Sequence, residues 1–203
     1  MIDSRIRKIP GKYFLAILSA AAVLRKEKQL RELMLIAREK NMQPGKIYEA
    51  LLQLYLFAGF PIALISLRIF SEYFNYKSLY EEYDVKSFSS RGIMNCKKVY
   101  GRKYEKLISN VNTFSPDIGN WLLVEGYGKT LGRKRMSLKE RELCIISTLT
   151  VMKLEDQLIS HLNGAFNCGN TKTEILTTIQ SLELIDEKNN SRWGISVFNR
   201  IKF

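Results

Sequence analysis

The side chains able to do chemistry in this sequence are few, and the most telling of them gather in one stretch. His161 is the only histidine among 203 residues, and histidine is the side chain whose ordinary pKa lets it give and take protons near neutral pH. Positions 154, 158, 161 and 165 fall on one stripe of a helix. They hold Leu154, Leu158, His161 and Ala165, so the imidazole shares an apolar face. An inward-facing imidazole needs a partner, because an unsatisfied buried polar group costs about 1–3 kcal/mol. Gln157 lies four residues earlier on the same helix, within hydrogen-bond reach. Glu142, on the preceding helix, is placed to orient the ring and to stabilise its protonated form. Spacing alone fits two readings: a proton-transfer group, or a core histidine that has found one partner.

Other chemistries are poorly supplied. Cys96, Cys144 and Cys168 make an odd count at no paired spacing, which argues against a disulfide framework and for a reducing, cytoplasmic setting. One histidine and scattered cysteines do not make a zinc-type site, so neither metal nor cofactor is expected. Gly126-Tyr127-Gly128 lacks the lysine and glycine spacing of a phosphate loop. The formal net charge is +12. The basic residues are spread along the chain, as on a solvated basic surface. Two clusters, Lys129 to Arg141 and Lys97 to Lys106 with Tyr100 and Tyr104 interleaved, keep nucleic-acid binding as a lesser alternative.

Helices must position these groups. The pattern predicts helices over 11–24 and 26–40, a third from Pro44 to Ala58, and a fourth from Ile62 to Phe74 after Gly59-Phe60-Pro61. The last two are apolar nearly all round and should be buried, in the core or between subunits. The apolar run Tyr13 to Leu24 imitates a secretory signal, yet helical patterning continues straight through it. At 12 residues it is short of the roughly 20 that span a bilayer. Ser87 to Gly92 reads as a loop, Tyr100 to Val111 as a helix, and Ser115-Pro116-Asp117 as the start of another through Trp121 to about Glu125. Ser137-Leu-Lys-Glu140 and Thr171-Lys-Thr-Glu174 read as capping boxes, which satisfy two unpaired backbone N–H groups each. No strand alternation is long enough for a sheet, and 187–203 carry no clear pattern. The fold class is all-α, in a single domain over 1–203. Within it, 11–75 and 116–185 are degenerate helical repeats joined by 76–115. Aligning Lys46-Ile47 with Glu174-Ile175 superposes Leu33 on His161 and Phe14 on Glu142, so one copy is apolar where the other titrates.

Three segments carry a resemblance. They are Glu49-Ala-Leu-Leu-Gln-Leu-Tyr-Leu-Phe-Ala-Gly-Phe-Pro61; Glu125-Gly-Tyr-Gly128 with Arg133-Lys-Arg-Met-Ser-Leu-Lys-Glu-Arg-Glu-Leu143; and Gln157-Leu-Ile-Ser-His-Leu-Asn-Gly-Ala-Phe-Asn-Cys-Gly169 with Glu174-Ile175. In this order they resemble the carboxymuconolactone decarboxylase-like family, which also contains alkyl hydroperoxidase D. The resemblance implies an alkyl hydroperoxidase D-like helical fold and assembly into a homo-oligomer (trimer, hexamer or dimer). It implies His161 and Glu142 as catalytic residues, Arg133 at the substrate, and a small carboxylated lactone or related metabolite as substrate; Gln157, beside His161 on its helix, is expected at the substrate as well. The implied chemistry is loss of carbon dioxide followed by protonation of the electron-rich carbon, which suits a histidine and a cation such as Arg133 for carboxylates. In the peroxidase branch a Cys-x-x-Cys pair precedes the histidine; here Leu154 and Gln157 stand at those positions. Peroxide reduction of that type therefore lacks its thiols. A binding member with a vestigial pocket is the further alternative.

Overall fold

The structure, a computed structural model, describes residues 3–78 and 80–202. Among the described residues there are helices and no strand. Helices α1 (Gly11–Val23), α2 (Glu27–Glu39) and α3 (Pro44–Leu52) open the chain, and α4 (Tyr55–Tyr73) follows. Helices α5 (Val85–Tyr100), α6 (Tyr104–Phe114) and α7 (Pro116–Trp121) form the middle. A π-helical segment, Leu122–Thr130, continues directly from α7. Helices α8 (Leu138–Met152), α9 (Glu155–Asn167), α10 (Lys172–Gln180) and α11 (Lys188–Phe198) close the chain.

The starts and stops are set by local chemistry. Both expected capping boxes are formed, Ser137 with Glu140 ahead of α8 and Thr171 with Glu174 ahead of α10. Pro44 sits at the first turn of α3. Gly169, at φ 91°, takes the left-handed turn that ends α9. The offset of 128 residues that carries Leu33 onto His161 also carries α2 onto Glu155–Asn167 and α3 onto Lys172–Gln180. It carries left-handed Arg25 (φ 55°) onto Lys153 (φ 55°).

Helix α1 is buried from Tyr13 to Ala22 and packs on α8, which is buried from Arg141 to Val151. The signal-like stretch is thus a central core helix. Two ion pairs flank this contact: Lys12 with Glu174, and Lys46 with Glu140. The same offset carries Lys12 onto position 140 and Lys46 onto position 174. The two bridges therefore exchange under it, the contact pattern of two units related by a two-fold axis.

Three expectations need correction. Ser87 to Gly92 is helical, not a loop: it lies in α5, whose start is capped by the Asp84 carboxylate accepting from the N–H groups of Lys86 and Ser87. The glycine there serves close packing. A Cβ on Gly92 would lie 2.0 Å from the Leu123 carbonyl oxygen, and one on Gly128 would lie 2.1 Å from that of Phe88. Helix α5 and the π-helical segment therefore meet backbone to backbone. Second, the helix expected from Pro44 to Ala58 ends at Leu52, and α4 takes up Tyr55 to Ala58; within the chain α4 is covered on one side only. Ala63, Ser66, Ile69 and Phe70 are buried, while Phe60 and Leu64 are exposed. By length and composition α4 could cross a membrane, but Gly59 (φ 80°, ψ 169°) breaks it. The 14 residues from Phe60 to Tyr73 span about 21 Å, short of a hydrocarbon core of about 30 Å. Third, the helix expected at Tyr100 begins at Tyr104 after a 3-10 turn, because Gly101 (φ 53°) ends α5.

Candidate active site

The α8–α9 hairpin turns at left-handed Lys153 and sets the two helices side by side. Glu142 is fully buried on α8 and His161 is 6% exposed on α9. Their side chains meet, with Glu142 Oε2 2.8 Å from His161 Nδ1. Room for the carboxylate comes from Gly164, one turn after His161. A Cβ there would lie 2.6 Å from Val99 Cγ1 and 3.2 Å from Glu142 Oε2. Among the described residues no donor reaches the other oxygen, Glu142 Oε1. The carboxylate thus has His161 as its strong partner. When the ring is neutral, Glu142 fixes the proton on Nδ1 and leaves Nε2 to give or take a proton.

His161 forms part of the wall of a cleft of about 480 Å³, and Glu142 lies behind it. The Phe57 ring stands edge-on to the imidazole, centroids 5.7 Å apart at 78°. Also lining the cleft, the Tyr127 hydroxyl donates to the Tyr100 hydroxyl at 3.3 Å. Burial, with a smaller push from the Glu142 charge, lifts Tyr100 to about 12, and buried Tyr127 is raised well above the ordinary phenol value. The Cys96 and Cys168 thiols are pushed up to about 12 by burial first and by Glu142 second. Phenols and thiols around this carboxylate therefore stay protonated and neutral. That leaves the His161 imidazole as the candidate proton-transfer group. The tyrosines can donate hydrogen bonds.

The other two expected residues stand elsewhere. Arg133 Nε binds Glu49 Oε1 at 2.8 Å, and Arg141 Nη2 binds Glu49 Oε2 at 2.8 Å. Arg133 lines a second cleft, of about 520 Å³, with Arg91, Lys134, Arg135, Glu49 and Glu81. Gln157 is exposed and lines neither cleft. The charged pair at the His161 cleft is instead Glu125 and Lys129, four apart in the π-helical segment. Tyr83 also donates to Glu125, and Lys129 stands 5.3 Å from the Tyr83 ring and 5.9 Å from that of Tyr55. Sequence reasoning missed this pair and the aromatic wall of Phe57, Trp121 and Tyr127. The i, i+4 spacing of Glu125 and Lys129 was the available signal. Among the described residues no group of three or more His, Cys, Asp or Glu side chains is placed to hold a metal.

Fold and site together define an all-helical protein with a buried carboxylate–imidazole pair at the wall of an apolar cleft. Known proteins resemble parts of it. The chain is 33% identical over 88 residues to peroxisomal protein 2 of Schizosaccharomyces pombe, covering 43% of this chain and 41% of that protein. It is 28% identical over 95 residues to peroxisomal protein 2 of Saccharomyces cerevisiae, covering 46% and 33%. It is 32% identical over 79 residues to the 4-carboxymuconolactone decarboxylase of Acinetobacter baylyi, covering 38% and 59%. The match thus spans well under half of the two fungal proteins and less than two thirds of the bacterial one. No family model matches the chain.

Proposed function

We propose that this chain is an acid–base enzyme that moves a proton at the carbon beside the carbonyl of a lactone or related small metabolite. His161 Nε2 is the donor and acceptor, and Glu142 holds the ring without itself taking the proton. The carrying observation is the 2.8 Å contact between Glu142 and His161 at the wall of an apolar cleft. Partial likeness to 4-carboxymuconolactone decarboxylase supports a decarboxylating version. In that version the carbon–carboxylate bond breaks, carbon dioxide leaves, and the electron pair left on carbon takes the proton from His161. A second reading, a binding protein without turnover, draws on the absence of Arg133 from this cleft. The two fungal relatives are named peroxisomal, which supports a peroxisomal site of action over a cytoplasmic one. Assembly into a homo-oligomer through the exposed α4 residues Phe60 and Leu64 belongs to the same proposal.

The test is hydrogen–deuterium exchange on dihydrocoumarin in heavy water, followed by NMR at the carbon beside the lactone carbonyl. The chain should accelerate this exchange, and His161→Gln should lower the acceleration by about 100-fold or more. Exchange that survives the substitution would contradict the acid–base role. Loss of exchange with intact helical content by circular dichroism would support it.

A further inference from the structure

We propose that the His161 cleft takes a neutral, ring-bearing carbonyl compound, such as a lactone fused to an aromatic ring, and rejects carboxylated ligands. This deepens the proposed function, rests on it for the identity of the reacting group, and takes its proton-transfer version in place of its decarboxylating one.

The first observation is charge. The ionised side chains lining the cleft are Glu125 and Lys129, and they bind each other. Tyr83 holds Glu125 from the other side. Behind the imidazole stands Glu142, fully buried. With His161 neutral, this set sums to one negative charge, and with His161 protonated it sums to zero. A carboxylate entering the cleft would find no surplus cation, and it would lose water to do so. It could gain Lys129 only by displacing Glu125. The surplus positive charge lies in the other cleft, where Arg91, Arg133, Lys134 and Arg135 face Glu49 and Glu81.

The second observation is the wall. Phe57 and Trp121 give flat, apolar surface suited to a ring, with Leu131 beside them. The third is a neutral donor. Tyr127 gives its hydroxyl hydrogen to the Tyr100 oxygen, which leaves the Tyr100 hydrogen for a carbonyl oxygen in the cleft. A donor chain of this kind is strengthened by its second member. It would also steady the negative charge that grows on that oxygen while His161 holds the proton. The proton moves from carbon to Nε2, the electron pair moves into the carbonyl to give an enolate, and Nε2 returns a proton to carbon, either the original one or one exchanged with water. Atoms and charge balance without a co-reactant. The product of a neutral substrate is then an isomer, or the exchanged starting compound, and not carbon dioxide.

The experiment compares coumarin with coumarin bearing a carboxylate beside its lactone carbonyl, titrated into the whole chain by calorimetry. Coumarin should bind more tightly by about tenfold or more, since the carboxylate must be desolvated without a free cation. Tyr100→Phe should weaken coumarin several-fold. Lys134→Met, in the other cleft, should leave coumarin within about twofold. Equal or tighter binding of the carboxylate, or binding of neither compound, would overturn the proposal. The exchange assay separates the two levels. Coumarin preference with exchange independent of His161 would sink the acid–base role and keep the ligand class. Carboxylate preference with exchange dependent on His161 would do the reverse.

Discussion

Helices α1 and α2 on one side, and α8 and α9 on the other, correspond under one offset, with equal bounds for α2 and α9 and a one-residue difference at each end for α1 and α8, yet only the second pair holds a carboxylate and an imidazole where its helices meet. Phe14 and Leu33 are fully buried in the first pair. At the matching positions the second pair holds Glu142 and His161, in contact at 2.8 Å. Where the first has Ile36, 5% exposed, the second has Gly164, whose missing side chain leaves room for the carboxylate. The apolar pair needs only shape to be stable. The polar pair must also satisfy charge, and it does so with one hydrogen bond and a cleft on the far side of the ring. The comparison teaches that a few inward positions separate an apolar packing unit from one that holds a carboxylate–imidazole pair on a similar helical frame.

The sharpest way to break the difference is to disturb the one buried charge that the N-terminal unit does carry. Glu49 on α3 is bound by Arg133 and by fully buried Arg141. Glu49→Ala should destabilise the chain by about 3–5 kcal/mol, as expected when a buried cation loses its partner. Urea denaturation measures it, and a loss under 1 kcal/mol would show that Arg141 finds water.

Next comes a conversion of one unit toward the other. His161→Leu leaves the Glu142 carboxylate buried and unpaired, and should cost about 1–3 kcal/mol or more. Adding Glu142→Leu should restore most of that loss, because replacing a buried polar pair by apolar groups is often neutral or stabilising by about 1–4 kcal/mol. A double-mutant cycle in denaturant reads the coupling, and additive losses would mean the two groups do not interact.

Gly164→Ala should lower the melting temperature. Overpacking costs about 1–3 kcal/mol, against a helix gain of roughly 1 kcal/mol, and the side chain that must yield is Val99 or Glu142 itself. A rise in melting temperature would show that Val99 yields without strain.

The smallest effect concerns the symmetric ion pairs between the units. Lys12 first, and then the Thr171 N–H, hold the Glu174 carboxyl at about 2, below its ordinary 4.5. A depressed carboxyl stabilises the fold above the unfolded-state value, and that stability is lost as pH falls from about 4.5 towards 2. Glu174→Gln should therefore lower stability slightly at neutral pH and flatten its fall over that window. A pH series of thermal melts checks this, and parallel curves for the two proteins would contradict it.

Much of the helical frame was legible in the sequence because its signals are local. Ser137, Thr171, Pro44 and Gly169 mark helix ends through bonds made within a few residues. The His161–Glu142 contact was legible because a lone imidazole on an apolar stripe must find a partner, and the neighbouring helix offered one. What was not legible depends on distant contacts. The place of Arg133 is decided by Glu49, 84 residues away in an apolar helix. The π-helical segment depends on Gly92 and Gly128 allowing two backbones to touch, so Ser87 to Gly92 looked like a loop and Lys129 looked like one basic residue among many.

The central claim is that His161 presents Nε2 to the cleft while Glu142 holds Nδ1. Since the chain has one histidine, 15N-labelled histidine yields a single imidazole to watch by NMR. The account predicts a protonated Nδ1 that loses its tautomer preference in Glu142→Gln, and an Nε2 signal that moves when coumarin is added. An Nε2 signal indifferent to ligand, with an unchanged tautomer in Glu142→Gln, would contradict it.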